Sequence, residues 1–413
     1  MIQSLRNEFN ARYTPERYAA FRTALDEACG CPMGFRIAES PIFLSREFVG
    51  RASRLAEEIL HRAASEELQK IGRTAVPDDF NYAAETAKPL FGCVDFAITG
   101  TPDNPRLKLI ELQGFPSLFH FQSSLSQVMR DAYGLPGELT GLAYPEDGYD
   151  AYYNTLRDAI VGDNDPSEVA LLELAPYKQK TLPDFIVAQR QLGIKIVDIE
   201  SVEAHGRDLF FKDNSGKLNP IRRVYNRSIR DDIIASNARI PFDITQEYNV
   251  TWAGHPNWYF RISKILLPHL VGTNEAVPNA LFVSEANPRL LDLSQYVLKP
   301  LYSFAGAGVN ISPSVADVEA IPEAAKHQWI LQERVTYAEA FRSPDGHPVK
   351  AELRMMLIWP DGEERPKATH TLVRLTRGAM VGVDHNKGLD WVGSSCALIP
   401  PFLSVRFLGE QKL

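Results

Sequence analysis

The sequence has little of what marks secreted, membrane or nucleic-acid-binding proteins. Its 413 residues include four cysteines, Cys29, Cys31, Cys93 and Cys396. They are too few and too scattered for a disulfide scaffold, which favours a reducing compartment. No apolar run is long enough to cross a bilayer, and the charges in the first segment come too early for a secretory signal peptide. We therefore expect a cytoplasmic protein without a membrane partner.

Positive charge is not in excess either. The chain has 44 Lys and Arg residues against 52 Asp and Glu residues, a formal net charge of −8, so no global positive field attracts nucleic acid. The aromatic residues do not alternate with a basic stripe, which argues against binding of single-stranded nucleic acid. The 45% hydrophobic and 23% charged content is typical of a folded globular protein, and the length predicts two or three domains.

The hydrophobic pattern changes along the chain. Residues 1–90 place apolar residues at three- and four-residue spacing, which predicts a helical region. Residues 91–150 begin with two apolar runs joined by a polar turn, which predicts a β-hairpin. Residues 151–255 alternate strand and helix patterns and predict an α/β domain. The last region, residues 256–413, opens with a pattern that predicts one helix over 255–272. The patterns after this helix predict successive strands.

A small-residue loop follows an apolar strand that carries Lys299. The loop contains Ser303, Ala305, Gly306, Ala307 and Gly308. The backbone N–H groups of such a loop can approach a phosphate, and the lysine adds a positive charge. It is not a P-loop, because no Gly-Lys-Ser/Thr ends it, nor a dinucleotide fingerprint, because strand residues follow it. A phosphate site and a tight hairpin turn both remain open for this loop alone.

Two neighbouring segments fit a phosphate site. Lys264 lies in the apolar segment 255–272 and could reach the same phosphates, or extend its ammonium group into solvent. The segment WILQERV is an apolar strand that turns polar at Gln332. It could form a hinge whose backbone pairs with an adenine edge, although any amphipathic strand shares this pattern.

The order of these elements resembles the nucleotide-binding half of the ATP-grasp superfamily. The elements are the lysine strand, the glycine loop, the hinge and a later strand with Glu352 and Arg354. The resemblance implies that ATP is bound by Lys264, Lys299, Ala305, Gly306, Ala307, Gly308, Gln332, Glu333 and Val335. It implies catalytic roles beside the phosphates for Arg354, Arg374 and Ser303.

The metal-binding strand pair that usually ends an ATP-grasp chain is missing at the C-terminal end. A similar pattern occurs early instead, with Asp95, Glu111 and Gln113 in the expected order. This arrangement resembles the circularly permuted branch that includes eukaryotic-type glutathione synthetases and glutathionylspermidine synthetases, and it implies Mg²⁺ binding by these three residues. Gln113 stands where Asn is usual and keeps an amide oxygen on a longer arm. Cys93 stands where arginine is usual.

The resemblance implies an α/β (α+β) ATP-grasp fold with circularly permuted connectivity, mixed antiparallel sheets and an extra N-terminal helical region. The hairpin at 91–113 should then join the same sheet as strand 350–359. The implied activity is that of an ATP-dependent ligase that joins a carboxylate to an amine through an acyl phosphate and releases ADP and phosphate. A phosphotransferase on the same fold and a nucleotide-binding protein without turnover remain as alternatives.

The expected partners are a small-molecule carboxylate and a small-molecule amine, whose identities the sequence does not give. Arginine suits carboxylate recognition, and a Tyr-x-Arg strand of glutathione synthetases that helps to bind the peptide substrate points to Arg227 and Arg230. The alternative is a surface strand whose arginines pair with Asp231 and Asp232. Ser117 is a further candidate for substrate contact. Related proteins are often dimers, which leaves a homodimer open.

Overall fold

A computed structural model describes residues 1–101, 104–213, 215–302, 308–378, 386 and 388–401. Its helices are α1 Gln3–Arg12, α2 Pro15–Cys29, α3 Arg46–Ala63, α4 Glu66–Gly72, α5 Phe119–Ala132, α6 Gly148–Ile160, α7 Leu182–Leu192, α8 Arg230–Ala235, α9 Trp258–Arg261, α10 Leu267–Leu270 and α11 Val315–Glu319. Its strands are β1 Ile42–Phe43, β2 Phe91–Thr101, β3 Asn104–Gln113, β4 Val169–Glu173, β5 Lys195–Asp198, β6 Val202–His205, β7 Asp208–Lys212, β8 Leu218–Ile221, β9 Arg223–Asn226, β10 Thr251–Ala253, β11 Ala280–Phe282, β12 Tyr296–Pro300, β13 Trp329–Glu333, β14 Phe341–Arg342, β15 Pro348–Ile358, β16 Lys367–Thr376, β17 Gly393–Ser395 and β18 Ala397–Leu398. None of the described helices is long and apolar enough to span a membrane.

The N-terminal region is helical, as its periodicity predicts. Helix α2 begins after Thr14, whose side chain accepts a hydrogen bond from the Arg17 N–H. The apolar pattern over 48–71 belongs to two helices, α3 and α4, because the Ser65 hydroxyl accepts a hydrogen bond from the Leu68 N–H and begins α4. The buried face of α3 packs against β2, β15 and β16.

A six-stranded sheet joins the early hairpin to late strands. Strands β2 and β3 are antiparallel, and β2 pairs with β15 so that Asp95 lies opposite Arg354. The order along the sheet is β17-β16-β15-β2-β3, with β14 paired to β15. The prediction that the hairpin shares a sheet with strand 350–359 is therefore confirmed.

A separate parallel sheet has the order β10-β9-β4-β5. The predicted strand–helix–strand unit is confirmed as β4, α7 and β5, and α7 ends at Gly193, which has a positive φ of 76°. The apolar pattern over 221–229 would suit one strand, but this segment divides between β8 and β9. The two strands belong to different sheets, because β8 pairs with β7 while β9 pairs with β4 and β10.

The predicted helix over 255–272 is wrong. It consists of α9, a 3-10 turn at Lys264–Leu266 and α10. The break has a tertiary cause, because the Ile262 carbonyl accepts a hydrogen bond from the Gly114 N–H, 3.2 Å away, at the end of β3. Pro268 also lies in the first turn of α10 and cannot donate a helical hydrogen bond.

A three-stranded antiparallel sheet completes the architecture around the candidate site. Its order is β11-β13-β12, and Lys299 on β12 lies opposite Ile330 on β13. Strand β1 pairs in parallel with β18, so the N-terminal helical region is joined to strands from near the C-terminal end of the described residues.

Candidate functional site

Two cavities lie side by side and share Glu111 and Lys264. Cavity A has a volume of about 400 Å³ and lies between the three-stranded and six-stranded sheets, with Lys299, Gln332 and Arg374 in its lining. Cavity B has a volume of about 420 Å³ and is lined by β3, by residues 74–77 and by the segment that contains α9. The two cavities therefore meet at one carboxylate and one ammonium group.

Lys299 is held at the boundary between two sheets. Its Nζ atom donates to the side-chain oxygen of Gln332 at 2.6 Å and to the Ile110 carbonyl at 3.3 Å. The Gln332 amide nitrogen in turn donates to the Leu109 carbonyl at 3.0 Å. Burial lowers the pKa of Lys299 to about 8, although the negative charge of Glu111 opposes this shift.

Lys264 reaches the same cavity because the chain turns tightly beside β3. A Cβ atom on Gly114 would collide with the Trp258 carbonyl, so glycine permits this close approach. The Lys264 Nζ atom lies 4.0 Å from Glu111 Oε1. Burial lowers the pKa of Lys264, and Glu111 opposes the shift. The structure thus brings Lys264, Lys299 and Glu111 together at cavity A.

Asp95 does not face either cavity as a free ligand, in contrast to the predicted metal role. It is 1% exposed, and its two carboxylate oxygens accept hydrogen bonds from Arg354 Nε and Nη2 at 2.6 and 2.7 Å. Arg374 Nη2 also contacts Asp95. Burial disfavours the charged carboxylate, but the two arginines outweigh it and keep the pKa of Asp95 below its usual value.

The two arginines predicted to be catalytic differ in their access to cavity A. Arg354 is buried behind Asp95 and lines neither cavity, so its expected contact with phosphate or substrate is not supported. Arg374 does line cavity A, where its Nε donates to Glu352 Oε1 at 2.8 Å. The Tyr337 hydroxyl donates to the other Glu352 oxygen at 2.8 Å. Burial raises the pKa of Glu352, although Arg374 opposes the shift.

The predicted hinge and glycine loop are described in part. Gln332, Glu333 and Val335 line cavity A. The Glu333 N–H donates to the Asn279 carbonyl at 2.7 Å, so this amide is already paired. Gly308 has a positive φ of 71°, a conformation in which an L side chain is strained. The other predicted loop residues, Ser303, Ala305, Gly306 and Ala307, lie outside the described residues.

The side-chain oxygens of Glu111 and Gln113, near the junction of the two cavities, suit a magnesium ion that takes its other ligands from phosphate and water. In the part of the chain that the structure describes, no three His, Cys, Asp or Glu side chains are grouped to hold a metal ion. Mg²⁺, however, commonly uses one or two protein oxygens together with substrate phosphates and water. Glu111, which lines both cavities, and Gln113, which lines cavity B, could supply these oxygens. The oxygens of Asp95 are already bound by arginines.

The predicted substrate residues have different surroundings. Arg230 lines cavity B and is bound by Asp79 through contacts of 2.6 and 3.2 Å. Arg227 is 3% exposed, lines neither cavity and pairs with Asp184 at 2.6 Å. Ser117 lies two residues before α5 and is likewise absent from both linings.

Sequence reasoning missed several residues that line the two cavities. Tyr337 and Lys350 line cavity A, and Tyr259 and the segment 74–77 line cavity B. The segment 74–77 carries no motif, so no sequence signal identifies it. Tyr259 lies in the pattern that was interpreted as one continuous helix. Lys350 is the first polar residue of an alternating strand pattern that continues with Glu352 and Arg354. This alternation is a weak signal that the three side chains lie on one face of the strand.

Comparison with known proteins gives a likeness at the level of fold. No family model and no curated protein matches the chain. A glutathione synthetase-like effector from Globodera pallida, solved in its apo form, is similar in structure, with a TM-score of 0.59 and 11% sequence identity. The match covers 92% of this chain and 96% of that chain. The protein therefore shares a mixed α/β fold with a glutathione synthetase-like protein.

Proposed function

We propose that this protein is an ATP-dependent carboxylate–amine ligase built on a circularly permuted ATP-grasp fold. The observation that carries the proposal is the presence of Glu111 and Lys299 at one cavity. Glu111 comes from the early hairpin and Lys299 from a late strand, which is the juxtaposition that a permuted nucleotide site requires. Cavity A would hold the nucleotide, and Mg²⁺ would be held by Glu111, Gln113 and the phosphates.

The charge of cavity A supports a polyphosphate ligand. Five cationic and three carboxylate side chains occur among its described lining residues. The cationic ones are Lys264, Lys299, Arg334, Lys350 and Arg374. Glu352 is also engaged by Arg374 and Tyr337, which reduces the negative charge that a phosphate would meet. Lysine and arginine side chains that line one cavity suit the oxygens of a triphosphate.

Cavity B would receive the organic substrates. It meets cavity A at Glu111 and Lys264, so a carboxylate bound there lies next to the phosphate end of the nucleotide site. Arg230 offers a guanidinium group at its wall, while Leu112 and Ile262 provide apolar surface. ATP supplies the phosphoryl group that activates the carboxylate, and the amine then displaces phosphate to form the amide. Lys264 would hold the transferred group at the junction.

Nucleotide binding without turnover is the second candidate. It is favoured by the burial of Asp95 between arginines, which removes one of the three predicted metal ligands. The phosphotransferase alternative has no separate observation in its favour. The phosphotransferase would differ from the ligase in its product, and the non-catalytic protein would form no product.

The first test is calorimetric titration of ATP with and without Mg²⁺ on the wild type and on Glu111→Gln. We expect magnesium to strengthen ATP binding, and Glu111→Gln to remove most of that gain because a neutral amide binds Mg²⁺ less strongly than a carboxylate does. Glu364→Gln, which changes an exposed glutamate away from both linings, is the matched control. ATP binding that ignores Mg²⁺ and Glu111 would contradict the proposed site.

The second test follows the products with a panel of carboxylates and amines. A ligase forms ADP and phosphate only when both substrates are present, and hydroxylamine traps its acyl phosphate as a hydroxamate. A stable phosphorylated product would identify a phosphotransferase. AMP and pyrophosphate would overturn the proposed reaction, whereas tight ATP binding without ADP formation across the panel would favour the non-catalytic alternative.

A further inference from the structure

Four charged side chains form a network on three adjacent strands of the six-stranded sheet. Asp95 on β2 lies directly opposite Arg354 on β15, and Glu352 on β15 lies directly opposite Arg374 on β16. Directly opposed residues on antiparallel strands place their side chains on the same face. Two carboxylates and two guanidinium groups therefore balance in charge within a buried layer.

Arg374 is the member of the network that extends furthest toward cavity A. Its side chain is 33% exposed, compared with 1% for Asp95, 6% for Arg354 and 5% for Glu352. Both carboxylates contact its guanidinium group from behind, Asp95 through Oδ2 and Glu352 through Oε1. Arginine loses considerable rotamer freedom when it is fixed, and these two contacts fix it before a ligand arrives.

Asp95 itself is oriented by a partner that does not reach the cavity. Arg354 binds both of its oxygens in the two-pronged geometry that arginine and carboxylate favour. This leaves Oδ2 shared between Arg354 and Arg374. The order of contacts is thus Arg354, Asp95, Arg374 and then the cavity.

We infer that Asp95 is a positioning residue for the nucleotide, which with Arg354 behind it holds the Arg374 guanidinium at the wall of cavity A where phosphate would bind. This role replaces the metal-ligand role that the sequence suggested. It rests on the proposed function in one respect, namely that cavity A receives a nucleotide phosphate.

The test removes the buried pair without changing net charge. Asp95→Leu combined with Arg354→Met replaces two opposite charges by apolar side chains, a change that buried pairs often tolerate. We expect ATP to bind roughly tenfold more weakly, because Arg374 loses one charged hydrogen bond that fixes it. In an Arg374→Met background the same pair of changes should cause no further loss of affinity.

Asp184→Asn is the control, because Asp184 forms another buried pair, with Arg227, and lines neither cavity. It should lower the urea midpoint and leave ATP affinity unchanged. Asp95→Asn, which keeps the shape of the side chain and removes the charge that contacts Arg374, is a second variant if the double change does not fold, and it should weaken ATP binding in an Arg374-dependent way.

The possible outcomes distinguish failure of the positioning role of Asp95 from failure of the proposed function. Unchanged ATP affinity in a folded Asp95→Leu/Arg354→Met protein would overturn the positioning role, as would an equal further loss in the Arg374→Met background. Failure of the wild type to bind ATP would overturn the proposed function and this inference with it.

Discussion

The Nζ atom of Lys299 lies 2.6 Å from the side-chain oxygen of Gln332 and donates a hydrogen bond to it. Lys299 is on β12 and Gln332 is on the neighbouring strand β13. Because Gln332 also donates to the Leu109 carbonyl of β3, this pair ties the three-stranded sheet to the six-stranded sheet. The lysine is therefore fixed at the cavity before any ligand binds.

Replacement of this lysine should weaken nucleotide binding. Lys299→Met keeps most of the side-chain volume but removes the charge, and we expect ATP affinity to fall at least about tenfold because a charged hydrogen bond to phosphate is lost. Calorimetric titration measures the change. Lys367→Met, at an exposed lysine outside cavities A and B, should have no effect. Equal affinity in the wild type and Lys299→Met would remove Lys299 from the site.

ATP affinity should also decrease as the pH rises above neutrality. The pKa of Lys299 is lowered to about 8 by burial, so the ammonium group is largely charged at pH 7 and largely neutral at pH 9. Phosphate favours the charged form, and the affinity of the wild type should fall by up to about tenfold between these two values.

Titrations at pH 7 and pH 9 check this dependence, with Lys299→Met as the comparison. The variant lacks the titrating group and should lose most of the pH dependence. A wild-type affinity that is constant over this range would show that Lys299 does not bind phosphate through its charge.

Arg227 should matter for stability and not for nucleotide binding. Arg227→Met leaves the buried carboxylate of Asp184 without its cationic partner, although the N–H groups of His120 and Phe121 still bind it. We expect the free energy of unfolding to fall by about 3–5 kcal/mol, measured by urea denaturation, with ATP affinity unchanged. A folded variant of normal stability but with raised KM for an organic substrate would instead support the original substrate role.

Glu173 should make the protein less stable at alkaline pH. It is 4% exposed, and burial raises its pKa to about 8. The folded state then holds a proton that the unfolded state releases between about pH 4.5 and pH 8, so the stabilisation from this group is lost as the pH rises through that interval.

Glu173→Gln should therefore raise the free energy of unfolding at pH 9 by about 1–3 kcal/mol and change it little at pH 4. Urea denaturation at the two pH values measures the difference. Glu138→Gln, at an exposed glutamate, is the control and should be neutral at both. A Glu173→Gln protein that is less stable at pH 9 would show that the charged carboxylate is needed.

Patterns within short segments predicted much of the architecture. The hairpin, the strand–helix–strand unit around α7 and the lysine strand β12 all appear where alternation and turn residues indicate them. The expectation that the hairpin shares a sheet with strand 350–359 came from the family resemblance and not from any local pattern, and the structure pairs β2 with β15. The prediction of one helix over 255–272 was wrong, because the Gly114 N–H donates to the Ile262 carbonyl and competes with the helical hydrogen bonds there.

The sequence by itself determined which side chains carry charge and, for most segments, whether they are helix or strand, since these depend on residue type and spacing. The tertiary structure decided how those charges are paired. It places Arg227 against Asp184 and Asp95 between Arg354 and Arg374, while it leaves Lys264 and Glu111 at the cavities. Burial and the nearest opposite charge distinguish a structural arginine from one that faces a ligand, and both arise only when distant strands meet in one sheet.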